Sequence, residues 1–510
     1  MSTEELSQVL RDRREKLAEL IRKGTQPFAY SYDRTHDAAT AASSFAAAEE
    51  AKSLDADGHG PRVRVAGRLV AWRGHGKTAF AHIEDRGGRM QMYFRQDVMG
   101  EERFGALHFL DLGDWVGVEG PLFRTRTGEV TVRVEASTLL SKSLRPLPFG
   151  KTEVDATTGE KVHHSGFSDT EARYRQRYAD LAVHPEVREV FRARAKVVTE
   201  MRRFLDGEGF LEVETPALQP LYGGAAARPF VTHHNSLDRR MFLRIADELY
   251  LKRLIVGGFE RVYEIAHNFR NEGVDRLHNP EFTMLEFYQA FADYSDVLEL
   301  TEALFGHVAQ AVIGGTELTY QGQKISFARP FARIRFMEAL GEALGADPTS
   351  LSEAELKKRA IALHVPDLDG AGRGKLLDKL FGALVEPKLV QPTFVMDHPI
   401  ELSPLAKPHR TAQGVVERFE LYAMSAELAN AFSELNDPLD QRERFEAQRT
   451  LGAAGDDEAH QVDEDYLRAM EYGMPPTGGV GIGIDRVVML LTDQPSIRDV
   501  ILFPVLREEE

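Results

Sequence analysis

Cysteine is missing altogether from this chain of 510 residues, which removes disulfides, thiolate zinc sites and cysteine nucleophiles at once. Any metal must therefore sit on oxygen or imidazole. No apolar run approaches the roughly 20 residues that span a bilayer, and the N-terminus opens on charged, helix-forming residues without the apolar core of a signal peptide. A soluble, cytoplasmic protein with no membrane partner is expected. Positive charge is also short: 63 Lys and Arg stand against 80 Asp and Glu, a formal net charge of −17. That balance argues against nonspecific coating of nucleic acid, which depends on Lys and Arg, and no DNA partner is expected. The deficit is uneven, because residues 62–145 hold 14 Lys or Arg against 10 Asp or Glu. A mildly basic module on an acidic body points to local contact with a polyanion.

Familiar signatures are absent too. GKT at 76–78 fails as a phosphate-binding P-loop because Ala71 stands where the first glycine belongs, and the glycines at 478–483 fail as a dinucleotide fingerprint because Ile484 takes the third glycine's place. HExxH does not occur, and the adjacent His233 and His234 would point apart on a strand.

What is present divides the chain. Residues 1–60 read as an N-terminal helical segment: an amphipathic helix over 2–24, then an Ala/Ser/Asp-rich helical connector. From Val63 the period changes to two. Five short β-branched or aromatic runs within 61–145 fit an all-β barrel of the oligonucleotide/oligosaccharide-binding (OB) kind. Residues 146–185 read as a linker holding a polar excursion at about 151–164. From 186 to 510, mixed strands and helices predict a larger α+β domain. Within it, FLEVETPAL reads as a strand stopped by Pro216, and 259–270 and 280–291 as two antiparallel strands joined by a charged loop. Residues 331–391 read as a helical insertion poor in active groups, with Ser352 and Glu355 as a capping box.

The charged segments carry a resemblance. FRNEG before a His-bearing loop, and GIGIDR near the C-terminus, resemble motifs 2 and 3 of class II aminoacyl-tRNA synthetases; the Pro216 segment resembles motif 1. GGAAARPF, ADELYLKRL, HNPEFTMLEFY and ELANAFSELNDP narrow the resemblance to the bacterial-type, lysine-specific branch. It covers nearly the whole chain. The fold it implies is an OB anticodon-binding domain plus a class II catalytic domain on an antiparallel sheet.

The resemblance also implies roles. Arg270 would hold the ATP α-phosphate and the lysine carboxylate, where a planar, permanently charged fork suits the geometry. Phe282 would stack on adenine, with Glu272 and Asn279 giving polar contacts, and His278 and Arg486 would clamp the distal phosphates. Glu420 and Glu427 would hold Mg²⁺, several ions per subunit, with Glu420 also at the ATP. Glu248 and Glu286, with the Gly224 backbone, would receive the lysine α-ammonium, and Asn430 its carboxylate side. Glu434 and Tyr288 would meet the ε-ammonium, with Phe432 along the aliphatic stem. In the barrel, Arg73, Phe80 and Gln91 would read the anticodon, although Phe80 as ordinary core is an equal alternative on sequence alone. Partners implied are tRNA(Lys), L-lysine, ATP and a second copy of the chain in a homodimer. The reaction implied is formation of lysyl-adenylate followed by transfer to the tRNA 3′ end, with no general base nominated. Two rivals stand beside it: a paralogue that ligates lysine or an analogue to a protein, against which the OB module counts, and a nonenzymatic RNA-binding or regulatory descendant, which would have lost Arg270, Glu272, Arg486, Glu420 or Glu427.

Overall fold

The computed structural model describes residues 3–154, 161–164, 166–366, 368–453 and 461–508. The chain forms two compact units, Met1–Val183 and His184–Glu510.

In the first unit six strands follow the predicted period of two. They are β1 (His59–His75), β2 (Thr78–Asp85), β3 (Gly88–Arg95), β4 (Trp115–Arg124), β5 (Val130–Val134) and β6 (Ala136–Ser141). Their order is β1-β2-β3-β5-β4-β6, and a further β1–β4 pairing closes five of them into a ring. Val63, Val65, Ala79, Ala81, Ile83, Met92 and Phe94 point inward to one core, which leaves the alternate residues on the outer face. The Ala-rich segment does more than connect. Asp37 caps the helix Ala38–Glu50 through a reciprocal box with Thr40, and that helix seats Ala41 and Phe45 in the ring's core. The helix Thr3–Arg22 sets Leu20 against Phe109 and Leu139. The ends of the polar excursion pair as an antiparallel hairpin, Lys151–Val154 with Lys161–His164; residues 155–160 lie outside the described residues.

The second unit is built on an eight-stranded sheet. Its strands are β7 (Leu211–Glu212), β8 (Arg261–Phe269), β9 (Glu281–Ala290), β10 (Ala332–Arg335), β11 (Thr393–Met396), β12 (Arg418–Ala423), β13 (Ala426–Ser433) and β14 (Thr477–Gly483). The order is β10-β11-β12-β13-β14-β9-β8-β7, antiparallel except at β10–β11 and β7–β8. FLEVETPAL is therefore mostly irregular: only Leu211 and Glu212 join this sheet, Leu218 begins a short strand of a separate three-stranded sheet, and Val213 still donates its N–H to the Tyr263 carbonyl. Pro216, which lacks a donor and restricts the residue before it, fits that early exit.

Alternation along the central strands decides what each face does. Leu285 and Phe287 on β9, Phe419 and Leu421 on β12, and Val480 and Ile482 on β14 are buried with residues of the helices Pro185–Gly207, Tyr294–Ile313 and Ile484–Leu491. Each fully buried Leu or Phe contributes roughly 2 kcal/mol, so this face can offset the cost of a charged one opposite. Phe282, Met284, Glu286 and Tyr288, together with Arg418, Glu420 and Tyr422, line the cavity on the other side.

Residues 331–391 open with β10 and then form three helices, Phe336–Leu344, Glu353–Ala362 and Arg373–Leu384. These close over their own core, where the Phe336 and Phe381 rings stack at 4.3 Å. The Ser352–Glu355 capping box forms as predicted. One expectation fails here: the insertion is not poor in active groups, because Arg373, Lys375, Asp378 and Glu386 all reach the cavity.

Candidate active site

The cavity on the polar face of the sheet encloses about 1230 Å³, ample for a nucleotide and an amino acid together. Its floor comes from β9, β12, β13 and β14, and loops and the 331–391 insertion complete its walls.

At one end sits Arg270, just past β8. Its guanidinium lies 5.0 Å from the Phe282 ring centroid, and burial lowers its pKa against the opposing pull of Glu272, Glu427 and Glu286. His278 Nδ1 lies 2.8 Å from Asp275 Oδ2, and Arg486 Nη2 lies 3.2 Å from His278 Nε2. With Arg486 donating to Nε2, the proton belongs on Nδ1, facing Asp275. Arg486 also donates to the Glu427 carbonyl at 2.6 Å. Glu272 is exposed at the rim. Asn279 is buried, and its amide is engaged internally: Nδ2 donates to the Glu281 carbonyl at 2.6 Å and Oδ1 accepts from Val505 N at 3.3 Å. In this arrangement its side chain builds the loop.

Glu420 and Glu427 face the same cavity from β12 and β13. Glu420 is half-buried, yet Arg418 and the Tyr422 hydroxyl at 2.7 Å hold its pKa down. Burial and then Glu420 itself raise Glu427, whose carboxylate is 3.7 Å from Arg486. Two hard carboxylates that repel each other suit a divalent cation of the Mg²⁺ type. Among the described residues no cluster of three or more such ligands occurs, so phosphate and water would complete the shell. Asn430 accepts from Arg418 Nε at 3.1 Å and donates to Glu420 at 3.4 Å.

The far end is acidic. Glu286 accepts the Asp247 N–H and the Tyr288 hydroxyl, both at 3.1 Å; burial and then Glu248 push its carboxyl up to about 7. Gly224 has φ +89°, and a Cβ there would lie 2.9 Å from the Ala246 Cβ and 3.1 Å from the Glu248 Cβ. Only glycine lets the backbone come so close to Glu248. Phe432 lines the wall, with the Arg418 guanidinium 5.5 Å from its centroid.

Glu434 differs from expectation in one respect. It lies behind Tyr288 and Gly479, not among the cavity's lining residues, and its carboxylate is fully buried. Burial, with Glu248 and Glu286 nearby, pushes it up to about 8 against the pull of Lys252. A Cβ on Gly479 would sit 2.3 Å from Glu434 Oε1 and from the Tyr288 ring. The missing side chain of Gly479 is what makes room for Glu434 Oε1 directly behind the cavity wall.

In the ring unit, Phe80 lies half-buried on the outer face and stacks on Tyr93 at 4.4 Å. It is therefore not core. Arg73 opposes it across β1 and β2 and is exposed. Gln91, on β3, donates to Glu129 at 2.7 Å and accepts from Thr131 at 2.8 Å. His233 and His234 lie on a mostly exposed strand, with His233 3.1 Å from Asp238.

Comparison with known proteins agrees with this division. Residues 169–507 match the family model for tRNA synthetases class II (D, K and N), and residues 63–140 match that for an OB-fold nucleic acid binding domain. The lysine–tRNA ligase of Carboxydothermus hydrogenoformans is 51% identical over 511 residues, covering 100% of both chains. The chain belongs to the lysine–tRNA ligases. The member of this family from Pelotomaculum thermopropionicum is 51% identical over 99% of this chain and 96% of its own, and the one from Staphylococcus epidermidis is 48% identical over 99% and 100%. As a lysine–tRNA ligase the chain combines an OB-fold domain with a class II catalytic domain, and among the described residues no helix is long and apolar enough to cross a membrane.

Sequence reasoning missed several groups around this site. Lys252 was visible as the partner four residues after Glu248 on one helix, the spacing that brings two side chains together. Gly479 was visible only as part of a failed dinucleotide motif. Nothing in the local sequence marked Asp378 and Glu386, which reach the cavity through the insertion's tertiary packing.

Proposed function

We propose that the protein activates L-lysine with ATP and transfers it to the 3′ end of tRNA(Lys). The observation that carries this reading is one sheet face presenting Arg270 and Phe282 at one end and Glu286 and Tyr288 at the other, with Glu248 and Glu434 beside them. A nucleotide wants the first group, and a diamino acid wants the second.

A lysine carboxylate oxygen attacks the ATP α-phosphorus. The new O–P bond forms as the bond to the bridging oxygen breaks, and pyrophosphate leaves in line. Arg270 holds the carboxylate and the α-phosphate as negative charge moves between them, His278 and Arg486 receive the departing phosphates, and Phe282 fixes the adenine. Mg²⁺ held by Glu420 and Glu427 would supply charge neutralisation on the phosphates. Positioning and preset charge accomplish such a transfer without a side-chain base. The ribose hydroxyl at the tRNA 3′ end then attacks the adenylate carbonyl and releases AMP.

Selectivity follows from desolvation. An apolar amino acid would leave buried carboxylates unpaired, a cost of several kcal/mol in low dielectric. The OB-fold domain would read the anticodon through Arg73, the stacked Phe80 and Gln91, in the manner of single-stranded RNA recognition. Exposed apolar residues on and near the motif 1 segment, among them Leu211, Leu218 and Val231, support a homodimer through that surface, and the cytoplasm is the compartment where such an enzyme works. The test is charging: purified protein with ATP, Mg²⁺, labelled lysine and a tRNA(Lys) transcript should give acid-precipitable lysyl-tRNA. Absence of charging despite lysine-dependent pyrophosphate exchange would leave the activation half and remove the transfer half.

A further inference from the structure

Behind the pocket lies a cation that the reaction does not use. Lys252, on the helix Glu248–Val256, is completely buried. Its ammonium lies 2.5 Å from Glu248 Oε1 and pairs with Glu434 Oε2. Each carboxylate therefore gives one oxygen to Lys252 and keeps the other. Glu434 Oε1 is buried without a hydrogen-bond partner among the described residues and abuts the space at Gly479 and Tyr288. The Glu248 Oε2 faces Gly224.

We propose that Lys252 is a positioning and specificity-determining residue, a built-in counter-ion that fixes the pocket at the net charge a diamino acid neutralises. This inference rests on the assignment of Glu248, Glu286 and Glu434 to the lysine pocket. With all three carboxylates ionised, as lysine binding requires, they and one ammonium leave two negative charges, and lysine brings two ammonium groups. The surroundings do not disturb that balance. Arg244 is paired with Glu264 at 2.7 Å, and burial raises the neighbouring Asp247 toward its neutral form. Tyr288 and Tyr466, both kept neutral by burial, also face the cluster; Arg253 is paired with Asp463 and Asp465, and Arg270, which acts on Glu286, is opposed by Glu272 and Glu427 as well. Lys252 stays charged: burial presses it toward neutrality, but Glu248 and Glu434 outweigh burial and raise its pKa. Without this cation three carboxylates would share one dry site, and like charges so placed take up protons.

The test is Lys252→Met, which keeps length and loses charge, in lysine-dependent ATP–pyrophosphate exchange with full-length protein. The KM for lysine should rise about tenfold or more near pH 7.5, with the KM for ATP within about twofold, because one pKa unit of lost coupling is a factor of ten. The deficit should shrink as pH rises, since the extra proton leaves. A residue that only supports the fold would instead change both KM values and kcat at every pH alike. A lower lysine KM in the variant would overturn the proposal, because Lys252 would then be competing with substrate for Glu434. If Lys252→Met does not fold, adding Glu434→Gln removes one charge of each sign and should restore folding; a double variant no more stable than the single one also overturns it. Failure of Glu434→Gln to affect lysine use would sink the pocket assignment itself, whereas an effect of Glu434→Gln with none from Lys252→Met sinks the counter-ion alone.

Discussion

Lysine affinity should depend steeply on pH between about 6 and about 8. In the empty pocket Glu434 is pushed up to about 8 and Glu286 up to about 7, in each case mainly by burial. Near pH 6 both are largely protonated, and a neutral carboxyl offers an ammonium group little. Deprotonating Glu434 two units below its pKa costs about 3 kcal/mol, at about 1.4 kcal/mol per unit; Glu286, one unit below, adds about half as much. The two share one site and release their protons as a pair, so the combined loss should fall between about tenfold and about a thousandfold in Kd. Isothermal titration of lysine at several pH values measures it, with repeats in buffers of different ionisation enthalpy to count released protons. The expected count is between one and two near pH 7. The stability of the unliganded protein should run the other way. Between the ordinary carboxylate range and about pH 8, the folded state binds more protons than the unfolded state through these groups, so their contribution to stability falls as pH rises. Lysine should therefore raise the melting temperature more near pH 8 than near pH 6. A lysine Kd flat across this range, with no proton release, would refute the reasoning.

Three substitutions probe separate parts of the site. Glu434→Gln should raise the KM for lysine by about a hundredfold or more, the cost of losing a buried charge pair, while leaving the KM for ATP nearly unchanged; equal changes in both would place the residue in the wrong pocket. Gly479→Ala puts a methyl 2.3 Å from Glu434 and Tyr288, so it should abolish lysine-dependent exchange and lower stability by about 1–3 kcal/mol in a denaturant titration. Arg270→Ala should stop adenylate formation while the thermal midpoint stays close to that of the unaltered protein, because the guanidinium's hydrogen bond to the Ile245 carbonyl is a weak one of 3.5 Å.

Much of the architecture was legible because it is periodic. The inward Val, Ala, Ile and Met residues of β1–β3 and the even-numbered face of β9 follow directly from a period of two, and the even spacing of Phe282, Glu286 and Tyr288 already placed them on one surface. What was hidden depends on contacts between distant segments. Glu434 and Lys252 are 182 positions apart and meet only in the folded chain, where the residue following β13 reaches the helix Glu248–Val256. The reach of Asp378 into the cavity is likewise set by packing, not by local propensity.

On the proposed reading one cavity selects lysine at its buried acidic end and ATP at its more open end. Amino-acid-dependent ATP–pyrophosphate exchange, run with each of the standard amino acids at equal concentration, tests it most directly. Lysine should support exchange, with aspartate, asparagine and the apolar amino acids at background. Exchange driven by aspartate or asparagine, or none with lysine in a folded preparation, would contradict it.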